Sequence, residues 1–177
     1  NQLEECRKEK REELALKQNE ILLVYSGSTA GWQSLELLSK HLNDWLKNND
    51  LVKVLILSKP HHFFKKLQLK FPNRVTEKFV EPTEVFCWLS AGDYGLLIRD
   101  KSITNSCASP TKYAEYLLAG LRVISNDTTG VRSEIGMMPA DELTSSTKSE
   151  RELSSGRALK HFEKSNFREE YEGITQN

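Results

Sequence analysis

Five short segments with the patterns of strands, either apolar runs or alternating apolar and polar residues, constrain the fold of this 177-residue chain more than any other feature. They cover residues 21–25, 52–57, 75–80, 94–98 and 123–126. A continuous apolar run that ends in turn residues is typical of a strand buried on both faces of a parallel sheet. Such regular alternation of strands and helices predicts an α/β fold, a Rossmann-like parallel sheet with helices on both faces.

The stretches between these runs have helical patterns. Residues 32–46 repeat apolar side chains every three or four positions, which places one apolar stripe against a sheet. A shorter amphipathic stretch covers residues 61–71, and Pro82 starts a predicted helix that continues to Leu89. Residues 150–171 predict two helices, separated by breaks at Ser155-Gly156 and Ser165-Asn166, that pack on the sheet or on an absent partner domain.

The chain begins with a highly charged segment that lacks an initial methionine. Residues 1–18 carry both charge signs at helical spacing, which indicates a charged helix or linker. We expect this segment to come from a longer protein with an N-terminal domain before it. Residues 19–149 would then form a Rossmann-like domain, and residues 150–177 its C-terminal helices.

Composition excludes several classes of function. Lysine and arginine total 25, as do aspartate and glutamate, so no net field attracts nucleic acid or an acidic membrane. No apolar stretch approaches the length of a membrane span. Three scattered cysteines fit a reducing compartment, the cytoplasm, better than a disulfide framework. The histidines and cysteines lie too far apart along the chain for a zinc motif, so we expect no metal.

The segment 109–124 joins a helix start to a buried strand. Ser109 is a favoured N-cap and Pro110 suits the first helical turn. The unpaired amides and the dipole of a helix start favour an anion, and Lys112 adds a full positive charge. Glu115 follows one turn later, and Gly120 is a predicted C-cap. An ordinary helix-to-strand connection with a solvated lysine is the alternative.

Three loops should meet at one edge of the sheet: Gly27-Ser28 after the first strand, the segment from Arg99 after the fourth, and the helix start at Ser109. Gly27 would allow the backbone to approach a phosphate, while Arg99 and Lys112 would supply positive charge. Turn geometry and solvation explain each of these residues equally well when taken alone.

Several reaction classes lack their motifs. The first strand is not followed by a complete Gly-x-Gly-x-x-Gly motif, and no Walker loop or Gly-x-Ser-x-Gly elbow occurs. Cys107 has no histidine linked to it by a motif. A nucleotide diphosphate remains the candidate ligand.

Residues 109–124 resemble the signature of the donor-binding, C-terminal domain of retaining glycosyltransferases with the two-Rossmann (GT-B) fold, of the family-four type (group 1). Residues 25–28 and 93–99 are similar to its other segments, and the resemblance covers roughly residues 15–175. It implies the C-terminal half of a GT-B fold. It also implies a cytoplasmic enzyme of polysaccharide biosynthesis that transfers a sugar from a nucleotide diphosphate with retention, without a metal or another cofactor.

The resemblance also implies residue roles. Arg99 and Lys112 would be catalytic, because they would stabilise charge on the leaving diphosphate. Glu115 would accept hydrogen bonds from the ribose, and the nucleobase would lie near Lys59-Pro60 and Val80-Glu81. The full set of implied nucleotide-sugar-binding residues is Gly27, Ser28, Val80, Glu81, Cys107, Ser109, Pro110, Thr111 and Glu115.

The implied partners are the sugar-nucleotide donor and an N-terminal acceptor domain, without which the fragment would be inactive. Membrane association would be possible only through that missing part. Cys107 stands where the family often has a glutamate, and Trp32-Gln33 stand where many members have a basic pair. Two alternatives stay open: half of a sugar-nucleotide epimerase, and a flavodoxin-like binding module without catalytic activity.

Overall fold

A computed structural model describes residues 2–28, 34–101, 111–126 and 136–161. Its strands are β1 (Ile21–Ser26), β2 (Val52–Leu57), β3 (Val75–Lys78), β4 (Tyr94–Leu97) and β5 (Arg122–Ser125). Its helices are α1 (Gln2–Glu13), α2 (Leu35–Asn48), α3 (His62–Lys70), α4 (Val85–Ser90), α5 (Thr111–Leu118) and α6 (Lys148–His161), with a 3-10 turn at Ala140–Glu142.

The five strands form one parallel sheet in the order β3-β2-β1-β4-β5. The chain builds outward from β1 through β2 to β3 and then crosses to the other side of β1 to form β4 and β5. The order therefore reverses between β1 and β4, which is where an open α/β sheet leaves a crevice at the carboxyl ends of its strands. The predicted parallel Rossmann-like sheet is confirmed.

Helices cover both faces of the sheet, because strands buried on both sides need an apolar layer on each. On one face, α2 and α3 pack against residues that include Leu23, Val54 and Ile56. On the other face, α4 and α5 pack against residues that include Leu22, Val24 and Leu55. Neighbouring residues of β1 and β2 thus belong to different apolar cores, as the alternation of side chains along a strand requires.

Some element boundaries differ from the predictions. Helix α4 begins at Val85 rather than Pro82, because residues 81–84 form a turn in which the Glu84 N–H donates to the Glu81 carbonyl at 2.9 Å. Helix α6 continues through Ser155-Gly156, so the predicted break there is wrong. Its start is stabilised by a capping box, in which Thr147 and Glu150 bond each other's N–H groups. The second predicted helix lies outside the described residues.

Helix α1 packs on α4, and its Leu3 and Cys6 side chains are buried. Cys6 and Cys87 form a disulfide, with Cα atoms 4.8 Å apart. This pair departs from the expectation that the cysteines fit a reducing compartment better than a disulfide framework, because the fold brings together residues that are far apart in sequence. Spacing along the chain could not reveal this pair.

Asp93 lies immediately before β4 and is fully buried, and its carboxylate accepts several hydrogen bonds. Its carboxylate accepts hydrogen bonds from Arg7 at 2.7 Å and Arg11 at 3.3 Å, and from the N–H groups of Leu22 at 2.8 Å and Ser146 at 2.9 Å. These bonds join α1 to the amino-terminal edge of the sheet, opposite the candidate site. None of the helices in the described part of the chain has the length and hydropathy to cross a membrane.

Candidate functional site

The crevice between β1 and β4 brings together two of the predicted loops. Gly27 and Ser28 follow β1 directly, and Arg99 lies two residues beyond the end of β4. Helix α5 then supplies Thr111, which is exposed, and Lys112 in its first described turn. These positions share the carboxyl edge of the sheet because all its strands are parallel.

The Lys112 side chain turns inward to this crevice. Its Nζ lies so close to Gly27 that a Cβ atom at position 27 would overlap it. The same Nζ lies 5.2 Å from the centroid of the Tyr25 ring, within the range of a cation–π interaction. The ammonium group is therefore held against the backbone of the loop after β1, where a phosphate could reach both.

Burial and a second cation shift the titration of Lys112. Desolvation, together with the nearby charge of Arg99, lowers the pKa of Lys112 to about 8, and Glu115 opposes this shift. Burial also lowers the pKa of Arg99, a residue that is only 4% exposed. Two cations that repel each other in a partly desolvated crevice favour a bound anion, which would relieve that repulsion.

Two tyrosine hydroxyls form hydrogen bonds with the backbone at the end of β1. The Tyr116 hydroxyl accepts a hydrogen bond from the Ser26 N–H at 3.0 Å and donates to the Leu96 carbonyl at 3.3 Å. The Tyr25 hydroxyl donates to the Ser28 carbonyl at 3.0 Å. Burial raises the pKa of both hydroxyls, so both stay protonated and can donate. These bonds connect residues 26–28 to β4 and α5 beside Lys112.

A cleft of about 700 Å³ opens from Gly27 along the carboxyl ends of β2 and β3. We call it the base cleft; it is lined by Ser26, Gly27, Ser28, Leu57, Ser58, Lys59, Phe79, Val80, Glu81, Pro82 and Val85. Phe79 is 66% exposed in this cleft, and the Lys59 Nζ lies 5.9 Å from its ring centroid. An exposed aromatic ring beside a cation suits a flat, polar ring of a ligand.

The structure thus brings Gly27, Ser28, Arg99 and Lys112 to one crevice and places Val80 and Glu81 in the adjoining base cleft. Glu115 is exposed on α5 near Lys112. Cys107, Ser109 and Pro110 lie outside the described residues. Within the described ranges, no three His, Cys, Asp or Glu side chains gather as metal ligands would.

The sequence patterns do not assign a role at this site to Tyr25, Tyr116, Phe79 or Asn126. The Asn126 side chain bonds the backbone of Arg99. Tyr25 and Phe79 lie within segments whose patterns predict only strands. A polar or aromatic residue at the last position of a parallel strand is the signal that could have indicated them, because that edge of the sheet binds ligands.

No protein-family model matches this chain, and no curated protein matches it in sequence. Solved structures match its fold. Anabaena HepE in complex with UDP is 15% identical, with a TM-score of 0.68, over 98% of this chain and 53% of that one. The α,α-trehalose-phosphate synthase (UDP-forming) of Burkholderia vietnamiensis is 10% identical, with a TM-score of 0.67, over 96% of this chain and 47% of that one.

The C-terminal domain of LpcC, a group 1 family glycosyl transferase of Francisella tularensis, is 13% identical, with a TM-score of 0.56. That match covers 86% of this chain and 80% of the LpcC domain, whereas this chain spans only about half of the two longer structures. The chain therefore has the Rossmann-like fold of the C-terminal half of a GT-B glycosyltransferase, which is the fold that the resemblance of its sequence implies.

Proposed function

We propose that this domain binds the nucleotide-diphosphate sugar that is the donor substrate of a retaining, metal-independent glycosyltransferase. The observation that carries the proposal is the position of the Lys112 Nζ, pressed against Gly27 at the carboxyl edge of the sheet with Arg99 nearby. The UDP bound to one protein of the same fold supports a nucleotide as the class of ligand.

In this proposal the diphosphate lies over Gly27 and between the two cations. The base cleft continues from Gly27 past Lys59 to Phe79 and Glu81, so a nucleobase there would be connected to a diphosphate at Gly27. Glu115, exposed on α5, would accept hydrogen bonds from the ribose hydroxyls.

In the proposed reaction, Arg99 and Lys112 would stabilise the leaving group. The bond between the sugar C1 and the diphosphate oxygen breaks, and its electron pair stays on the diphosphate. An acceptor hydroxyl then bonds to C1 on the same face, and its proton passes to the departing diphosphate oxygen. Negative charge grows on the diphosphate in the transition state, so cations fixed beside it lower the barrier. Arg99 and Lys112 would supply the charge that a metal ion supplies elsewhere.

Because the chain spans about half of the longer structures it matches, we propose that a second domain binds the acceptor and closes over the donor. The domain alone would then bind the donor nucleotide without transferring its sugar.

Isothermal titration with UDP, GDP and ADP tests the proposal. We expect one of them to bind, and Lys112→Met and Glu115→Gln each to weaken that binding about tenfold or more. Lys66→Met, a change at an exposed lysine on α3, is the matched control and should leave the affinity unchanged. Unchanged affinity in the Lys112→Met variant would contradict the proposed site.

A further inference from the structure

We propose that Asn126 is a positioning residue, whose side-chain amide holds the backbone of Arg99 so that the guanidinium stays beside Lys112. This inference rests on the proposed function, because Arg99 matters here as a ligand of the donor diphosphate. Asn126 itself is not required to touch the donor.

The contact between the two residues is reciprocal. The Arg99 N–H donates to the Asn126 Oδ1 at 3.0 Å, and the Asn126 Nδ2 donates to the Arg99 carbonyl at 2.7 Å. The backbone pairing of β4 with β5 ends at Leu97 and Ser125. The side-chain amide of Asn126 has the same donor and acceptor as a peptide group, so it extends that pairing beyond the end of the strands.

Arg99 needs this support because it lies beyond the end of β4 and yet is 4% exposed. A buried backbone N–H or carbonyl without a partner is costly, and Asn126 provides partners for both groups of Arg99. The next residue is held from the other side, where the Asp100 N–H donates to the Ser34 Oγ at 2.7 Å. The backbone at Arg99 is thus fixed from β5 and from the start of α2.

The position of the guanidinium decides its effect on the site. Its charge acts on Lys112, Tyr25 and Tyr116, which surround the loop after β1. If the backbone of Arg99 moved toward water to regain hydrogen bonds, the guanidinium would move with it. A bound diphosphate would then lose one of its two cations.

A double-mutant cycle with pyrophosphate as the probe tests this inference. Asn126→Ala and Arg99→Met should each weaken pyrophosphate binding about tenfold in isothermal titration, and the double variant should be no weaker than Arg99→Met alone. Asn126→Ser, which removes less volume, replaces Asn126→Ala if the latter does not fold.

Asn49→Ala is the matched control. The Asn49 side chain likewise accepts from a backbone N–H, that of Leu51 at 2.9 Å, and donates to a carbonyl, that of Ala140 at 2.8 Å. It lies at the opposite edge of the sheet, after α2. The Asn49→Ala variant should lose stability as Asn126→Ala does, but should keep its affinity for pyrophosphate.

The pH profile supplies a readout that a purely structural role would not move. Burial lowers the pKa of Lys112 and the charge of Arg99 lowers it further, so displacement of Arg99 in Asn126→Ala should shift the alkaline loss of pyrophosphate binding to higher pH. Additive losses in the cycle, or an unshifted profile, would overturn the role of Asn126. Failure of wild-type protein to bind pyrophosphate and the nucleotides would instead overturn the proposed function, and this inference with it.

Discussion

Lys112 occupies the space beside Gly27 that the side chain of any other residue at position 27 would need. Helix α5 supplies the lysine and the loop after β1 supplies the glycine, so their contact joins two parts of the sheet edge. The Tyr25 hydroxyl would also lie 2.9 Å from a Cβ at this position. Glycine at position 27 therefore leaves room for the charged end of Lys112 and also suits the turn after β1.

Gly27→Ala should weaken nucleotide binding without unfolding the domain. The atom that the new methyl group meets first is the Nζ at the far end of a flexible side chain, which can move away, whereas the Tyr25 hydroxyl, 2.9 Å from the methyl carbon, needs to shift only slightly. We expect affinity for the best-binding nucleotide to fall about tenfold, and the free energy of unfolding to change by less than about 1 kcal/mol. Titration calorimetry and urea unfolding measure the two quantities.

Gly136→Ala is the control for that change, because nothing lies within 4 Å of a Cβ at position 136. It should alter neither affinity nor stability appreciably. Equal binding by Gly27→Ala and wild-type protein would show that the position of Lys112 does not matter for the ligand.

Lys112→Met should make the ligand-free domain more stable at pH 7. The pKa of Lys112 is lowered from 10.5 to about 8, so folding disfavours its charged form. Between these two values the unfolded chain binds more protons, and the stability of the wild-type protein should rise with pH in that window. We expect the variant to gain roughly 1–3 kcal/mol at pH 7.

The gain should shrink as the pH rises from about 8 toward 10.5, because neutral Lys112 no longer carries the penalty. Urea unfolding of both proteins at several pH values measures this difference. A gain in stability that does not vary with pH would mean that methionine packs better than lysine. It would also mean that folding does not disfavour the charged form of Lys112.

Phe79→Ala should weaken the binding of a nucleotide but not of pyrophosphate. Stacking of a base on an aromatic side chain contributes about 1–3 kcal/mol, and the Phe79 ring is exposed in the base cleft. We expect a loss of about tenfold for the nucleotide with little effect on stability. Leu69→Ala, at a leucine that is 81% exposed on α3, is the control. An equal loss of affinity for pyrophosphate would show that the substitution acts outside the base cleft.

Asp93→Asn should be the most destabilising of these changes. It leaves Arg7 and Arg11 without their buried carboxylate, which costs about 3–5 kcal/mol. Asp50→Asn, which affects a pair with Arg74 at an aspartate side chain that is 99% exposed, should cost less than about 1 kcal/mol. Urea unfolding at pH 7 compares them.

The effect of Asp93→Asn should also depend on pH. Burial raises the pKa of Asp93, but the charge of Arg7 and the N–H groups of Leu22 and Ser146 outweigh burial and lower it below 3.8. The stabilisation by the carboxylate is therefore present above that value and lost as the pH falls through the lowered pKa. A difference between wild type and variant that persists at the lowest pH would contradict the role of the charge.

Local patterns were sufficient for most elements. The apolar run 52–57 matches β2 residue for residue, and the positive φ of Gly120 agrees with its predicted role after a helix. Local patterns failed where packing outweighs propensity. Helix α6 continues through Gly156 although glycine disfavours helix by about 1 kcal/mol, because a capping box and the buried Ala158 support it.

By itself, the sequence determined the α/β class, the parallel sheet and the chemical types of residue at its carboxyl edge, since periodicity and turn residues act between neighbours in the chain. Only the tertiary structure decided that Lys112 points at Gly27, that Asn126 holds Arg99, and that Cys6 meets Cys87. Those contacts depend on how α1, α5 and β5 pack on the sheet, and no local pattern encodes the distance between residues that are far apart in the chain.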